Sequence, residues 1–116
     1  MITPSTLFLE STGVEWENVG KGVRRKILGY NDKMMMTVVE FKTGSIGPVH
    51  SHPHTQVTYV EAGSFEVQIG EQKQVLRKGD CFLIPTNIAH GVVALEDGVL
   101  IDSFTPVRED FLTPKL

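Results

Sequence analysis

The sequence predicts an all-β fold, a single-domain jelly-roll barrel. Three observations lead to this prediction. Gly, Asn, Asp and Pro recur every ~8–12 residues between β-favouring runs, helical periodicity is absent, and the number of runs suits a barrel. With 116 residues, the chain has room for one core or one ligand-lined barrel, but not for a second catalytic domain. We therefore expect one domain over residues 1–116.

The first strong signal is a hairpin. Residues 23–28 and 34–41 are apolar, strand-favouring runs. Between them lie Asn31 and Asp32, residue types that tolerate the backbone of a tight turn. We expect the two runs to pair as antiparallel strands.

The later strands are separated by short turns that contain glycine. They are predicted over residues 55–61, 64–69, 75–77, 81–84, 91–95 and 99–104. The turn at Ala62 and Gly63 suggests that the strands on either side pair with each other. Cys81 lies in an apolar run, which predicts a buried strand and an unactivated thiol. The tail, residues 106–116, contains two prolines and is expected to lie over the barrel.

Composition argues against two classes of partner. The chain has 11 basic and 14 acidic residues and a net charge of −3, so no overall positive field favours nucleic acid. A basic cluster does occur, and we interpret it as a solvated strand face; its members are Lys21, Arg24, Arg25 and Lys26. No apolar run approaches the ~18 residues that cross a bilayer. A single cysteine and the lack of a signal-peptide pattern favour a reducing, cytoplasmic location.

All four histidines fall in two segments punctuated by glycine, residues 44–63 and 79–94, and three of them occupy positions whose spacing suits a metal site. The first reads G-x5-H-x-H-x3-Q-x6-G. Side chains at i and i+2 share one face of a strand, so His50 and His52 can point to one place, and Gln56 lies an even number of residues further on. Imidazoles with an amide oxygen suit one divalent transition metal ion, Ni, Zn, Fe, Mn, Co or Cu. The predicted ligands are His50, His52, Gln56 and His90.

Two alternatives stay open for this site. Gln56 could be a hydrogen-bond partner of a ligand instead of a ligand itself. His54 has the same strand parity as His52, but Pro53 interrupts the strand between them, so we favour a supporting or rim position for His54. Either way the ligands are neutral, which would leave a divalent ion able to attract an anionic ligand and act as a Lewis acid.

Both segments resemble the two signature motifs of the cupin superfamily, whose fold is the double-stranded β-helix. The chain departs from the common motifs in having Gln56 in place of glutamate, and Asn87 and Ala94 in the second motif. The strings HSHPHTQ at 50–56 and DSFTPVREDFL at 102–112 are similar to those of small KdgF-type cupins of pectin and alginate breakdown.

This resemblance implies an enzyme that converts 4,5-unsaturated monouronates, released by polysaccharide lyases, into a linear keto form. It also implies a metal held by three histidines and a glutamine. The implied catalytic residues are Asp102 and Arg108, and the implied substrate-binding residues are Phe104 and Arg108. The expected partner is therefore a small uronate.

Residue type and spacing alone give weaker support for functional roles of Asp102, Phe104 and Arg108. Leu100, Asp102 and Phe104 share one strand face, where an acidic residue is unusual, although an edge strand would turn Asp102 to solvent. The planar fork of Arg108 suits a carboxylate, or an exposed ion pair with a neighbouring acidic residue. Phe104 could support a sugar face or be ordinary core.

Two other functions remain open on the same fold: a metal-dependent dioxygenase and a non-enzymatic sugar- or anion-binding module. Residues 34–41 and 55–61 carry apolar side chains at both parities, more than one barrel interior needs. This favours a homodimer, unless a two-layer sandwich buries both sets within one chain.

Overall fold

The computed structural model describes residues 2–112, which form ten strands and one short α-helix. A 3-10 turn at Ser11–Gly13 precedes the first strand. The strands are β1 Glu17–Gly20, β2 Val23–Tyr30, β3 Met35–Phe41, β4 Ile46–His50, β5 Thr55–Ala62, β6 Ser64–Ile69, β7 Gln72–Arg77, β8 Cys81–Ile84, β9 His90–Ala94 and β10 Gly98–Thr105. The helix is α1 Glu109–Leu112. Residues 113–116, the end of the predicted tail, lie outside the described residues.

The strands form two antiparallel sheets. One sheet has six strands in the order β1-β2-β3-β10-β5-β8, and the other has four in the order β4-β9-β6-β7. The prediction of an all-β jelly roll is confirmed. Within residues 2–112, no helix has the length and apolarity that a bilayer-spanning segment needs.

The main core lies between the two sheets. Its buried residues are Val23, Val39, Phe41, Val60, Phe65, Val67, Phe82, Ile84, Ala94 and Leu100. Phe41 of β3 meets Phe65 of β6 edge to face, with ring centroids 5.2 Å apart, so an aromatic pair joins the sheets at this point. The core fills one end of the barrel and leaves the other end for polar side chains.

The predicted first hairpin is confirmed, since β2 and β3 pair antiparallel from Val23 with Phe41 onward. The expected pairing across Ala62 and Gly63 is wrong. β5 pairs with β10 and β8, whereas β6 pairs with β9 and β7. Gly63 has a φ of +79°, and the turn carries the chain from one sheet to the other.

Two expectations about burial are also wrong. Cys81 is exposed, because β8 is an edge strand that alternates and buries only Phe82 and Ile84. Lys26 is buried rather than solvated, and its Nζ donates to the carbonyl oxygen of Ser11 at 2.7 Å. A short apolar run, or a cluster of charges, does not reveal strand parity by itself.

The described part of the tail packs over the open end of the barrel. Val107 is buried in a second apolar cluster with Met35 and Phe104. Phe111, in α1, meets Phe104 edge to face with ring centroids 5.7 Å apart. The tail thus closes one side of the polar end.

We predict that Gly63→Ala is more destabilising than Gly44→Ala. Both glycines have positive φ, +79° and +82°, so each alanine costs about 1–2 kcal/mol of backbone strain. A Cβ on Gly63 would also lie 2.5 Å from the carbonyl oxygen of Asp97, whereas one on Gly44 meets nothing within 4 Å. Urea unfolding measures the difference, and equal losses of unfolding free energy would contradict it.

Candidate metal centre and active site

Three histidines converge at the open end of the barrel. His50 ends β4 and lies opposite His90, which begins β9. His52 does not extend β4, as the spacing predicted, but lies in the loop that follows. One ring nitrogen of each histidine lies within 4.8 Å of the other two. The loop, not strand parity, therefore brings His52 beside its neighbours.

Each of the three imidazoles is oriented by a backbone carbonyl two residues away. The Nδ1 contacts are His50 with Pro48 at 2.8 Å, His52 with His54 at 3.0 Å, and His90 with Ile88 at 2.9 Å. A carbonyl oxygen only accepts hydrogen bonds, so in a neutral ring the proton resides on Nδ1. The Nε2 lone pairs are then free to bind a metal, the usual arrangement of histidine ligands.

Two of the Nε2 atoms, those of His52 and His90, lack a suitable hydrogen-bond donor within residues 2–112. His90 Nε2 is buried without a partner among the described residues. His52 Nε2 faces the Oε1 of Gln56 at 3.0 Å, so with its proton on Nδ1 two acceptors face each other. A cation between them would satisfy both, and the residues present therefore fit a metal ion.

The buried histidines are held in the neutral form that binds metal. Burial lowers the pKa of His90 to about 4, because desolvation penalises the charged ring. Burial also lowers the pKa of His52, and the positive charge of Arg108 adds to this effect. The Oε1 of Gln56 would accept a hydrogen bond from the protonated ring, and this opposes the lowering of the His52 pKa.

Gln56 is buried in β5, and its amide is fixed by neighbours on both sides. Its Nε2 donates to Thr58 Oγ1 at 2.9 Å and to Asp102 Oδ1 at 3.3 Å. These donations turn Oε1 toward His52. An oxygen donor therefore points at the place where the imidazoles converge.

Asp102 lies in the middle of the six-stranded sheet and borders the cavity instead of facing solvent from an edge. It is in register with Thr37 of β3 and Thr58 of β5. Both hydroxyls donate to its carboxylate, Thr58 at 2.7 Å and Thr37 at 3.3 Å. Burial raises the pKa of Asp102, and the three hydrogen bonds from Thr58, Thr37 and Gln56 oppose that rise.

Arg108 and Phe104 lie next to the tail, on the same side of the site as Asp102. Arg108 is buried, unlike the exposed ion pair considered from the sequence, and its Nε and Nη2 donate to Asp110 at 3.0 and 2.8 Å. Its guanidinium carbon lies 5.0 Å from the Phe104 ring centroid. Phe104 is buried and meets His52 edge to face. The ring thus belongs to both the core and the site.

A cavity of about 370 Å³ brings these groups together. Its lining includes His50, Gln56, His90, Asp102, Phe104 and Arg108. His54 points elsewhere: its Nε2 contacts the carbonyl oxygen of Val107 at 3.1 Å and so ties the loop to the tail. The cavity is large enough for a monosaccharide beside a metal ion.

Sequence reasoning missed Thr37 and Thr58, which orient Asp102. Thr58 had a local signal, since it is two residues from Gln56 and shares its strand face. Thr37 had none, because its approach to Asp102 depends on the pairing of β3 with β10, 65 residues apart in sequence.

Comparison with known proteins also indicates a cupin fold. A family model described as a cupin domain matches residues 37–102. Over 99 residues, the chain is 50% identical to the pectin degradation protein KdgF of Dickeya dadantii (strain 3937), covering 84% of this chain and 90% of that protein.

Two solved structures superpose closely. An RmlC-like cupin from Shewanella frigidimarina NCIMB 400 has a TM-score of 0.92 at 40% identity and covers 95% of this chain and 99% of its own. KdgF from Halomonas sp. has a TM-score of 0.88 at 38% identity, and the match covers 92% of this chain and 99% of that one. The resemblance found in the sequence motifs is confirmed. This chain belongs to the cupin family, and within that family to the KdgF group.

Proposed function

We propose that this protein is a metal-dependent enzyme that converts 4,5-unsaturated monouronates into linear keto forms. The observation that carries the proposal is the convergence of three imidazoles, two of which, His50 and His90, line a cavity that is also lined by Asp102 and Arg108. The similarity to a pectin degradation protein supports a uronate substrate, since pectin is a polymer of uronates.

The metal ligands in this proposal are His50, His52, His90 and Gln56. Their Nδ1 hydrogen bonds, the unpartnered Nε2 of His90 and the orientation of the Gln56 amide support this set. A bound divalent ion would supply Lewis acidity to substrate oxygens. Because all four ligands are neutral, the site would favour an oxygen-rich, anionic substrate.

Asp102 would move the proton. The reaction is an isomerisation: the hydroxyl on carbon 1 loses its proton, the bond from carbon 1 to the ring oxygen breaks, and carbon 4 gains a proton as carbon 5 becomes a ketone. A carboxylate whose pKa is raised by burial suits both the acceptance and the return of that proton. The two threonine hydroxyls keep it oriented toward the cavity.

Arg108 would bind the substrate carboxylate, and Phe104 would support the sugar beside the metal. Arg108 already donates to Asp110 through Nε and Nη2, so a carboxylate would use the remaining Nη1 or displace Asp110. The position of both residues on the cavity wall supports these roles.

We also propose a homodimer that buries the outer face of the six-stranded sheet. Exposed apolar side chains occur there on three strands: Met36 of β3, Val57 and Tyr59 of β5, and Leu83 of β8. Val57 and Leu83 are in register on adjacent strands. Ser103 of β10 lies between Met36 and Val57, so the face is mostly apolar, and a face of this kind suits a twofold interface. A cytoplasmic location stays a prediction, favoured by the single cysteine.

We predict that His52→Ala and Asp102→Asn both impair conversion severely, for different reasons. His52→Ala removes a ligand, so the metal content falls well below one ion per chain. Asp102→Asn retains the metal but lowers kcat by about 10²–10⁴-fold, because the proton carrier is lost. The assay follows loss of unsaturated-uronate absorbance, product NMR and elemental analysis, with chelator-treated wild type for comparison.

The matched control is His54→Gln, which removes a ring outside the three converging histidines but keeps a donor for the Val107 carbonyl, and should retain metal and activity. The assignment fails if folded His52→Ala and Asp102→Asn proteins convert the substrate as wild type does. Oxygen consumption would instead identify a dioxygenase, and binding without turnover a sensor.

We predict that Thr58→Val moves the acidic limb of the kcat/KM profile to higher pH. The Thr58 hydroxyl stabilises the Asp102 carboxylate and so lowers its pKa. Without that bond the pKa rises further, and the ionised, proton-accepting form appears only at higher pH; a shift of about 0.5–1 pH unit is expected. Thr43→Val, next to the exposed Asp97, is the control. An unmoved or lowered limb would exclude Asp102 as the base.

We predict that Val57→Lys converts the dimer to a monomer without abolishing metal binding. The new charge would lie in the apolar face that the proposed interface buries, where an unpaired ammonium is costly. Light scattering coupled to gel filtration measures the mass. Val75→Lys, on the outer face of the four-stranded sheet, should leave the mass unchanged. A dimeric Val57→Lys protein would rule out this interface.

A further inference from the structure

Arg25 lies on the inward face of the barrel. Its neighbours of the same parity on β2, Val23 and Ile27, pack into the two apolar clusters. Its register partner on β3 is the buried Val39. The Arg25 side chain is only 13% exposed. A guanidinium among apolar neighbours is unusual, and its desolvation must be compensated by contacts inside the barrel.

The contacts of Arg25 engage only part of its guanidinium. Its Nε donates to Glu17 Oε1 at 2.9 Å, and its guanidinium carbon lies 3.6 Å from the ring centroid of Phe111. Within residues 2–112, neither terminal amino group makes a hydrogen bond. Arg25 also borders the cavity that is lined by Asp102, His50 and His90. The terminal donors are therefore available to a molecule in that cavity.

Arg108 contacts the same aromatic ring. Its guanidinium carbon lies 4.1 Å from the Phe111 centroid, so both guanidinium carbons lie within 4.1 Å of one point. The two arginines differ in what they can still donate. Arg108 uses Nε and Nη2 on Asp110, whereas Arg25 uses Nε alone on Glu17. Arg25 thus has more free donors than the arginine that the family motif singles out.

We propose that Arg25 is a second substrate-binding residue, whose free terminal amino groups bind the acidic uronate in the cavity that Arg108 also lines. This inference rests on the proposed function, and it adds a residue from β2 that no motif indicates. Two guanidiniums that line one cavity select sugar acids over neutral sugars, because a neutral sugar leaves both charges without a new partner. Arg25 is expected to determine affinity, not the rate of proton transfer.

A structural role is the competing explanation. The ion pair of Arg25 with Glu17 connects β1 to β2, and its stacking on Phe111 holds α1 against the barrel. The two roles predict different behaviour for Glu17→Gln. If Arg25 acts only through this pair, Glu17→Gln lowers the affinity for an acidic sugar as much as Arg25→Met does. If Arg25 binds substrate, Glu17→Gln leaves affinity for an acidic sugar unchanged or increases it, because a competing carboxylate is gone.

The test measures binding of two unreactive sugars, galacturonate and galactose, to metal-loaded protein by isothermal titration calorimetry. In wild type, galacturonate should bind more tightly than galactose. Arg25→Met should weaken galacturonate by about tenfold or more and leave galactose unchanged. Arg24→Met is the matched control, since Arg24 is adjacent on β2 but pairs with Glu40 at the surface, and it should bind both sugars as wild type does.

Arg25→Lys provides a second variant if Arg25→Met does not fold, because it keeps the charge and loses the fork; about a threefold or greater loss of galacturonate affinity is expected. Three results would overturn the inference: no preference for galacturonate in wild type, equal galacturonate affinity in Arg25→Met and wild type, or equal losses in Arg25→Met and Glu17→Gln.

Turnover separates this inference from the proposed function. With unsaturated galacturonate, Arg25→Met should raise KM by about tenfold while kcat changes by less than about threefold. If wild type converts the substrate but Arg25→Met binds galacturonate as wild type does, the inference fails and the proposed function holds. If galacturonate binding depends on Arg25 but no conversion occurs, the function fails and the binding role holds.

Discussion

The candidate site depends on three hydrogen bonds from histidine Nδ1 atoms to backbone carbonyl oxygens. They fix the tautomer and the orientation of each ring, so the three Nε2 lone pairs point to one place. Two of these rings are buried, which keeps them neutral and makes proton competition weak near neutral pH. The barrel supplies the backbone on which this depends: His50 and His90 are paired across adjacent strands.

The rest of the site lies on the six-stranded sheet, opposite the two strands that carry His50 and His90. β3, β10 and β5 lie side by side, which places Thr37, Asp102 and Thr58 in one row. Gln56 connects this row to the histidines, since its amide touches both His52 and Asp102. Gln56 is thus bonded to the proposed proton carrier and faces the proposed ligand His52, so a substitution of Asp102 or His52 should also alter the position of the Gln56 amide.

Much of the architecture could be predicted from the sequence, because turn residues and strand-favouring runs are local signals. The histidine spacing and the shared face of Asp102 with its neighbours are also local. What could not be predicted depends on contacts between distant strands. His52 reaches the others through a loop, Thr37 approaches Asp102 through strand pairing, and Arg25 faces inward although its neighbours in sequence are charged. A charge cluster gives no strand parity, so the interior position of Arg25 was hidden.

The most direct test of the central claim is a crystal structure of the metal-loaded protein, with anomalous diffraction recorded at the absorption edge of the metal. This account predicts one anomalous peak per chain, about 2.0–2.2 Å from the Nε2 atoms of His50, His52 and His90 and bonded to the Oε1 of Gln56. The carboxylate of Asp102 should face the peak without binding it. A peak elsewhere, or one coordinated by Asp102, would contradict the account.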